Sequence, residues 1–334
     1  MKAIALLSGG LDSTLAARMV LDQGVDLEAL NFMTLFCTCT NKGSTCLASQ
    51  KAVETLGISL RVFNVSEEYL DVVRHPRHGY GRNMNPCIDC RIFMLKKTKA
   101  YMEESGASFI VTGEVLGQRP MSQRRDAMRL IEREAGLEGF ILRPLSAQFL
   151  PATLPEREGW IDREKLLNIQ GRSRKPQIKL AEQFGIQDYP CPAGGCLLTD
   201  PGFATRLKDL MLHDLDFSLN DVHLLKMGRH LRLSPKLKLI IGRNEEENQK
   251  IQTFAKDKDV LLKVSNHPGP LSLLRGEVDE GEMEKAASIT ARYGKAKGLE
   301  KIEVSYRKAE REEERTVMVL PLSEAEIKKR MIFE

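Results

Sequence analysis

The chain has 334 residues, of which 42% are hydrophobic and 29% are charged, as is typical of a folded globular protein with two or three domains. No stretch is apolar enough to cross a membrane, and the opening MKAIALLSGG is interpreted as a buried strand, not a secretory signal. A net charge of +4 is too small to indicate a nucleic-acid partner by itself. Seven cysteines in a chain that we expect to be cytoplasmic favour metal or thiol chemistry over a disulfide scaffold.

Apolar runs of strand length alternate with helical patterns along the first 113 residues. The patterns predict strands at 2–7, 27–33, 60–65 and 108–113, and helices beginning at Leu11, near 46–57 and at 88–105. This alternation predicts an α/β fold with a doubly wound parallel sheet, whose ligands bind at the carboxyl ends of the strands.

The rest of the chain divides near Pro201. A loop-rich stretch is predicted from about 114 to 160, followed by helices near 163–169 and 174–185. Beyond Pro201 a helix at 203–212 precedes short β-type runs, such as LKLIIGR and DVLLKV, and strands flanking a turn at 301–320. We therefore expect a catalytic domain at 1–200 and a smaller α+β domain at 201–334.

The segment SGGLDST, residues 8–14, lies where the first strand ends and the first helix begins. Backbone amides and the helix dipole favour a phosphate at such a junction. Gly9 and Gly10 allow close backbone approach, and Ser8, Ser13 and Thr14 add hydroxyl donors. An acid beside a phosphate, here Asp12, suits a magnesium ion or a helix-start amide. An ordinary glycine turn with an N-cap is the alternative interpretation.

SGGLDST also resembles the pyrophosphate-binding loop (PP-loop) of the ATP pyrophosphatases, which adenylate a carbonyl oxygen and release pyrophosphate. The resemblance implies a Rossmann-like fold of the adenine nucleotide alpha-hydrolase type, with ATP and Mg²⁺ as cofactors. It places the nucleotide at residues 8–14 and at Gly113, and it gives Asp12 a catalytic role. The implied reaction is AMP transfer followed by nucleophilic displacement.

The cysteines fall into three groups, and all three are expected near the carboxyl edge of the sheet. Cys87 and Cys90 start a predicted helix, whose dipole is expected to lower the thiol pKa. Cys191 and Cys196 lie in CPAGGC, and a third group follows the second predicted strand. The members of the third group are Cys37, Cys39 and Cys46. The two pairs also fit a four-thiolate structural zinc site.

NPCIDC, followed by FIVTGE, resembles two motif regions of the tRNA 2-thiouridine synthases. The resemblance implies catalytic roles for Cys90 and for one of Cys191 or Cys196, with Cys196 as our choice. By similarity to cluster-dependent tRNA thiolases, it also implies a 4Fe–4S cluster on Cys87, Cys90 and one of the later pair, with Zn²⁺ as the alternative. A persulfide carrier or hydrosulfide would donate the sulfur. GEVLGQRP replaces the histidine-containing motif of those synthases, which leaves the target nucleotide open.

Cations without any acid run through residues 222–244, a segment that resembles the RNA-binding domain of NFACT proteins. We expect RNA contacts from Lys226, Arg229, Arg232, Lys236 and Lys238. A solvated cationic face is the alternative.

Two further basic clusters lie in predicted loops near the crevice, where they suit a phosphate of tRNA or ATP. They comprise Arg119, Arg124 and Arg125, and Arg172, Arg174 and Lys175.

These features predict an ATP-dependent tRNA sulfurtransferase that adenylates a uridine carbonyl oxygen and replaces it with sulfur. One alternative is a nucleotide-binding RNA-binding protein with a structural zinc, and another is a PP-loop enzyme that thiolates a small molecule. The expected partners are tRNA and a sulfur donor, with no membrane. The oligomeric state, a homodimer included, is left open, and Cys37, Cys39 and Cys46 form either a second metal site or a relay for sulfur.

Overall fold

The structure is a computed structural model that describes residues 1–38, 47–187, 189, 196–295 and 301–332. The chain divides into two compact units, Met1–Thr199 and Asp200–Glu334. Among the described residues, no helix combines the length and the apolarity that crossing a membrane requires.

The first unit is a parallel sheet with helices on both faces. Its strands are β1 (Lys2–Leu6), β2 (Asp26–Met33), β3 (Leu60–Asn64), β4 (Phe109–Thr112) and β5 (Ile141–Leu142). Its helices are α1 (Leu11–Leu21), α2 (Leu47–Leu56), α3 (Ser66–Arg74), α4 (Cys87–Glu104), α5 (Arg125–Ala135), α6 (Leu154–Arg157) and α7 (Lys175–Gln183). The five parallel strands lie in the order β3-β2-β1-β4-β5, so the predicted fold class is confirmed.

Strand β1 lies at the topological switch point of this sheet. The chain moves from β1 to β2 and β3 on one side, and then crosses to β4 and β5 on the other. A crevice opens where neighbouring connections leave a sheet in opposite directions, at the carboxyl ends of the strands. The segment that follows β1 therefore lies at the position where this architecture binds ligands.

Alternate residues of β1 belong to different hydrophobic clusters, because successive side chains of a strand point to opposite faces. Ala3 and Ala5 pack with Leu15 of α1, whereas Ile4 packs with Leu95 of α4. These side chains are at most 2% exposed. Burial on both faces explains why β1 and β4 appear in the sequence as apolar runs.

The stretch predicted to be loop-rich, 114–160, contains helix α5, so this part of the prediction was wrong. Ala127, Met128 and Ile131 form its buried face, and Gly136 ends it in a left-handed conformation with φ 64°. The opposite error occurs at 163–169, where only the short 3₁₀ turn Arg163–Lys165 forms.

The second unit is a separate antiparallel sheet covered by helices. Its strands are β6 (Arg229–Ser234), β7 (Leu237–Ile241), β8 (Val260–Val264), β9 (Ser272–Gly276), β10 (Ile302–Lys308) and β11 (Arg315–Val319). Its helices are α8 (Pro201–His213), α9 (Leu219–Leu225), α10 (Glu245–Thr253), α11 (Glu280–Tyr293) and α12 (Glu324–Lys328). The strand order is β11-β10-β8-β9-β7-β6, and Ala286, Ala287 and Ile289 of α11 join the core of this sheet.

Candidate active site

The glycine loop, residues 8–14, joins β1 to α1. Gly9 has φ 73°, and a Cβ atom there would lie 2.2 Å from the backbone carbon of Ala48. Only glycine combines this conformation with so close an approach. Gly10 is the N-cap of α1 and has no side chain to bond the first amides of the helix. The loop thus presents the start of α1 to the crevice, as phosphate binding requires.

The hydroxyl groups of the loop hold its shape. Ser13 Oγ and Thr14 Oγ1 donate to the carbonyl oxygen of Gly10 at 2.9 and 3.1 Å. Ser8 Oγ lies 3.2 Å from Ser13 Oγ. Ser13 and Thr14 are buried, so in this structure their hydroxyls brace the turn.

Asp12 is held from two later segments of the chain. Gln118 Nε2 donates to Asp12 Oδ2 at 2.6 Å, and Arg174 Nη2 lies 3.4 Å from the same oxygen. Asp12 Oδ1 is buried and accepts no hydrogen bond. An unpartnered carboxylate oxygen at a phosphate-binding loop fits a magnesium ion, which Asp12 would hold.

Gly113, directly after β4, packs onto the first turn of α1. A Cβ atom at this position would lie 2.4 Å from the amide nitrogen of Ser13 and 2.5 Å from the carbonyl carbon of Asp12. Backbone atoms cannot move aside as a flexible side chain can. The absence of a side chain at Gly113 therefore keeps β4 and the glycine loop together.

Cys37, Cys87, Cys90 and Cys196, here called the thiol group, lie near one another in the first unit. Cys87 and Cys90 occupy the first turn of α4. Cys37 and Cys196 pair in an isolated antiparallel β-bridge, in which Leu197 N donates to Phe36 O at 2.9 Å. The charges of Cys37, Cys87 and Cys90 all act on Cys196. The sequence placed these cysteines at the sheet edge but did not assign Cys37 a role.

Burial raises the pKa of each thiol at the start of α4, so the predicted lowering by the helix dipole was wrong. Loss of hydration is the largest effect on Cys90, and it outweighs a hydrogen bond from Tyr69 and the charge of Arg91. Burial also raises the pKa of Cys87, against the lowering effects of Arg119 and Arg91. The helix dipole lowers a thiol pKa by less than the loss of hydration raises it when the thiol is buried.

The pKa of Cys196 is shifted in the same direction. Burial raises it to about 12, although the amide of Leu198 donates to the thiol, and the neighbouring Cys90 adds to the increase. Burial therefore favours the protonated form of Cys87, Cys90 and Cys196. Binding of a cationic centre would release their protons.

A buried ionic network supports the thiol-bearing turn, and the sequence did not reveal it. Glu114 is 3% exposed, and its carboxylate oxygens lie 3.2 Å from Arg91 Nε and 3.0 Å from Arg143 Nε. Arg143 also pairs with Glu132. Burial alone would raise the pKa of Glu114, but Arg91 and Arg143 hold it below its ordinary value. Glu114 stands in the GEVLGQRP segment, where the histidine-containing motif was absent.

The thiol group has the donor chemistry of an iron–sulfur or zinc site, since thiolates are the ligands that both prefer. Cys87, Cys90 and Cys196 are the predicted ligands that the structure describes. Within the part of the chain that the structure describes, no group of three or more His, Cys, Asp or Glu side chains is arranged to hold a metal ion. Three other cysteines, Cys39, Cys46 and Cys191, lie outside the described residues.

Several cations of the second unit have partners inside that unit. Lys238 is 6% exposed, with its Nζ 3.3 Å from Asp209 Oδ2, and burial lowers its pKa to about 8. Arg232 Nη2 lies 2.5 Å from the same Asp209 oxygen. Lys236 Nζ lies 3.0 Å from Glu277 Oε1. Lys238 therefore has a structural position in the second unit that an RNA phosphate cannot reach.

Other predicted cations have different surroundings. The guanidinium of Arg229 lies 4.8 Å from the centre of the Tyr293 ring. Lys226, three residues earlier in the chain, is half-buried. Arg124 is exposed and lies 3.4 Å from Asp126.

A cavity of about 330 Å³ lies beside α5 in the first unit, and it is lined by Arg129, Arg143 and Arg157 among others. None of its lining residues belongs to the glycine loop or the thiol group.

Comparisons with known families divide the chain in the same way. Residues 1–148 match the family described as thiamine biosynthesis protein ThiI, and residues 228–331 match the NFACT protein RNA binding domain.

Curated relatives include two tRNA-specific 2-thiouridylases. The protein of Marinobacter nauticus is 30% identical over 228 residues, which is 63% of this chain and 54% of that protein. The protein of Pseudomonas entomophila is 31% identical over 228 residues, which is 63% of this chain and 55% of that protein. The chain thus spans about half the length of the curated relatives it matches.

Among solved structures, a 4-thiouridine synthetase in complex with RNA and ATP has a TM-score of 0.38 and 21% identity, and it covers 62% of this chain and 49% of its own. The U34-tRNA thiolase NcsA from Methanococcus maripaludis, solved with its [4Fe-4S] cluster, has a TM-score of 0.29 and 16% identity, and it covers 68% of this chain and 70% of its own. The family matches agree with the resemblances drawn from the sequence: the chain is similar to ThiI over residues 1–148, to the NFACT RNA binding domain over residues 228–331, and to tRNA-specific 2-thiouridylases over 228 residues.

Proposed function

We propose that this protein is an ATP-dependent tRNA sulfurtransferase, which adenylates a uridine carbonyl oxygen and replaces that oxygen with sulfur. The observation that carries the proposal is a pair of contacts made by consecutive residues: Gly113 packs against the first turn of α1 at Ser13, and Glu114 forms an ion pair with Arg91, the residue after Cys90. The nucleotide loop and the thiols are therefore near enough to serve one substrate. The relatives named as tRNA-specific 2-thiouridylases support this reaction class.

In the first step the uridine oxygen attacks the α-phosphorus of ATP, and the bond to pyrophosphate breaks. The start of α1, with Gly9 and Gly10, binds the departing pyrophosphate through backbone amides. Asp12 would hold the magnesium ion that neutralises the phosphates. Gln118 and Arg174 keep the Asp12 carboxylate oriented for this task.

In the second step a sulfur nucleophile attacks the activated carbon, the carbon–oxygen bond breaks, and AMP leaves with the former carbonyl oxygen. With hydrosulfide as donor, the proton of the hydrosulfide stays on the thiolated base, which lost its N3 proton on adenylation, and no reductant is needed. With a persulfide on Cys90 as donor, the attack leaves the base joined to Cys90 through a disulfide. Cys196 would break this bond, which releases the thiolated base and forms a disulfide between Cys90 and Cys196. An external dithiol must then reduce that disulfide. Cys87, Cys90 and Cys196 are the residues that would hold a 4Fe–4S cluster, and the chemistry that it would supply is Lewis-acid binding of the sulfur donor.

The second unit would hold the tRNA through cations at its surface, among them the half-buried Lys226 and Arg229 and the exposed Lys236, which is paired to Glu277. We also propose that the protein acts in the cytoplasm, where its substrates are found.

One observation favours a second candidate, thiolation of a small molecule. Arg232, Lys236 and Lys238 are engaged by carboxylates of their own unit, which leaves fewer cations for RNA.

The test is a reaction of anaerobically purified full-length protein with ATP, Mg²⁺, sulfide and unmodified transfer RNA, followed by mass spectrometry of the digested nucleosides. A thiouridine that requires ATP would support the proposal. Iron, sulfide and zinc analysis of the same sample, with Cys90→Ala beside it, decides between the two metals. A colourless protein with one zinc and no thiouridine would instead support a nucleotide-binding RNA-binding protein.

A further inference from the structure

Three arginines from different segments lie near the glycine loop and the thiol-bearing turn. Arg174 approaches Asp12 at 3.4 Å, and Arg91 approaches Glu114 at 3.2 Å. Arg119 directly follows Gln118, whose Nε2 donates to Asp12 Oδ2 at 2.6 Å, and the charges of Arg91, Cys87, Arg174 and Asp12 all act on its guanidinium. Two of the three cations thus have a carboxylate partner in direct contact.

Arg119 differs from its two neighbours. Among the residues that the structure describes, its guanidinium has no hydrogen bond and no ion pair. It is exposed by surface area, yet the surrounding crevice removes part of its hydration, and this loss together with Arg91 lowers its pKa. A cation held beside two others without a carboxylate of its own is stabilised when an anion binds among them.

Phosphate is the anion that this geometry suits. A guanidinium presents a planar set of donors that matches two phosphate oxygens at once. The start of α1 and the unpartnered Asp12 Oδ1 already account for pyrophosphate and magnesium on the loop side. The Cys87 side of Arg119 is where the bond to the base is broken in the second step of the proposed reaction.

Resting on the proposed function, we propose that Arg119, supported by Arg91, binds the phosphate of AMP as it leaves the thiolated base. Rupture of the carbon–oxygen bond places the bonding electron pair on an oxygen of AMP, so negative charge grows on that phosphate. Arg119 would offset this charge. Glu114 fixes Arg91 beside it and so acts as a positioning residue.

The test compares the binding of AMP and of pyrophosphate to the full-length protein by isothermal titration calorimetry. The variants are Arg119→Ala, Arg119→Lys and, as a control, Arg133→Ala at an exposed arginine of α5. We expect Arg119→Ala to weaken AMP binding by about tenfold and to change pyrophosphate binding less than about twofold. The affinity of Arg119→Lys for AMP should fall between, because lysine keeps the charge but lacks the planar pair of donors. Arg133→Ala should leave the binding of both ligands unchanged.

Unchanged AMP affinity in Arg119→Ala would overturn the proposal. An equal loss of affinity for AMP and for pyrophosphate would also overturn it, because Arg119 would then attract any phosphate ligand through its charge. Circular dichroism of each variant separates these outcomes from misfolding. The AMP affinity of Arg119→Lys is a second measurement of the same subsite, at a residue that keeps the charge. If the unaltered protein binds neither ligand, the nucleotide site itself is wrong and the proposed function falls with the subsite. If Arg119 governs AMP binding but tRNA is not thiolated, the subsite stands and only the sulfur step fails.

Discussion

The Nε atom of Arg91 lies 3.2 Å from Oε1 of Glu114, and this ion pair joins the turn that carries Cys87 and Cys90 to the end of strand β4. Glu114 also forms an ion pair with the buried Arg143, so one carboxylate contacts two guanidinium groups. The pair lies inside the first unit, where an uncompensated charge is expensive. This arrangement makes Glu114 the residue on which the shape of the thiol-bearing turn depends.

Glu114→Gln should therefore destabilise the first unit by about 3 kcal/mol, because it leaves Arg143 buried without its full charge partner. Urea unfolding of the variant measures the loss. The control is Glu68→Gln, which breaks the exposed pair with Lys97 and should cost less than about 1 kcal/mol. Equal losses in the free energy of unfolding for the two substitutions would show that the buried network stabilises the fold no more than an exposed ion pair does.

Gly113→Ala should disturb the glycine loop, because the new Cβ would lie 2.4 Å from the amide nitrogen of Ser13. We expect a stability loss of about 1–3 kcal/mol and weaker ATP binding. Gly281→Ala, in α11, is the matched control, since its nearest neighbour is the side chain of Asp279 at 3.6 Å. Thermal unfolding with and without ATP measures both effects, and full ATP affinity in Gly113→Ala would contradict this account of the loop.

Asp12→Asn should lower pyrophosphate release by at least about 100-fold, because the carboxylate that would hold magnesium is lost while the hydrogen bond with Gln118 can persist. A coupled pyrophosphate assay provides the measurement. Asp22→Asn, at the far end of α1 and paired with Arg18, should leave the rate unchanged. Retained activity in Asp12→Asn would refute the nucleotide-site assignment.

Stability of the second unit should fall in acid through Asp221. Burial alone would raise the pKa of Asp221, but hydrogen bonds from Ser218 and the charge of Arg275 lower it to about 2. A lowered carboxylate pKa stabilises the fold above the unfolded value near 3.9, and this contribution disappears as the pH falls toward 2. About 2 kcal/mol should be lost over that window, and Asp221→Asn should flatten the acid limb of the stability curve. An unaltered acid limb in the variant would contradict the assignment.

Lys226→Glu and Arg229→Glu should each weaken tRNA binding by about tenfold and reduce the salt slope by about one. Lys238→Met should leave tRNA affinity unchanged, since Lys238 is buried against Asp209. Filter binding at two salt concentrations separates the three variants. Loss of tRNA affinity in Lys238→Met alone would contradict the assignment of RNA contacts to Lys226 and Arg229 and not to the buried Lys238.

The sheet of the first unit was predictable because its strands are buried on both faces. Residues such as Ile4 and Val111 lie in continuous apolar runs that no charge interrupts. The glycine loop was predictable as well, because SGG between a strand and a helix leaves few other conformations. Helix α5 was missed because the polar residues around Met128 and Ile131 obscured their spacing within a stretch rich in arginine.

The support of the thiol group could not be predicted, because its partners are distant in sequence. Arg91 lies in α4 and Glu114 follows β4, and the packing of α4 against the sheet brings the two residues together. The bridge between Cys37 and Cys196 spans more than half of the first unit. The balance between the helix dipole and burial at Cys90 likewise depends on packing by Tyr69, which periodicity does not reveal.

The most direct test of the central claim, that a base activated at the glycine loop receives sulfur at the thiol group, is a single-turnover reaction of Cys90→Ala with ATP labelled at the α-phosphate, tRNA and sulfide. The account predicts that pyrophosphate is released at the rate of the unaltered protein, while labelled AMP stays attached to the tRNA and no thiouridine forms. Release of free AMP together with thiouridine at the unaltered rate would contradict it, because the thiols would then have no part in the sulfur step.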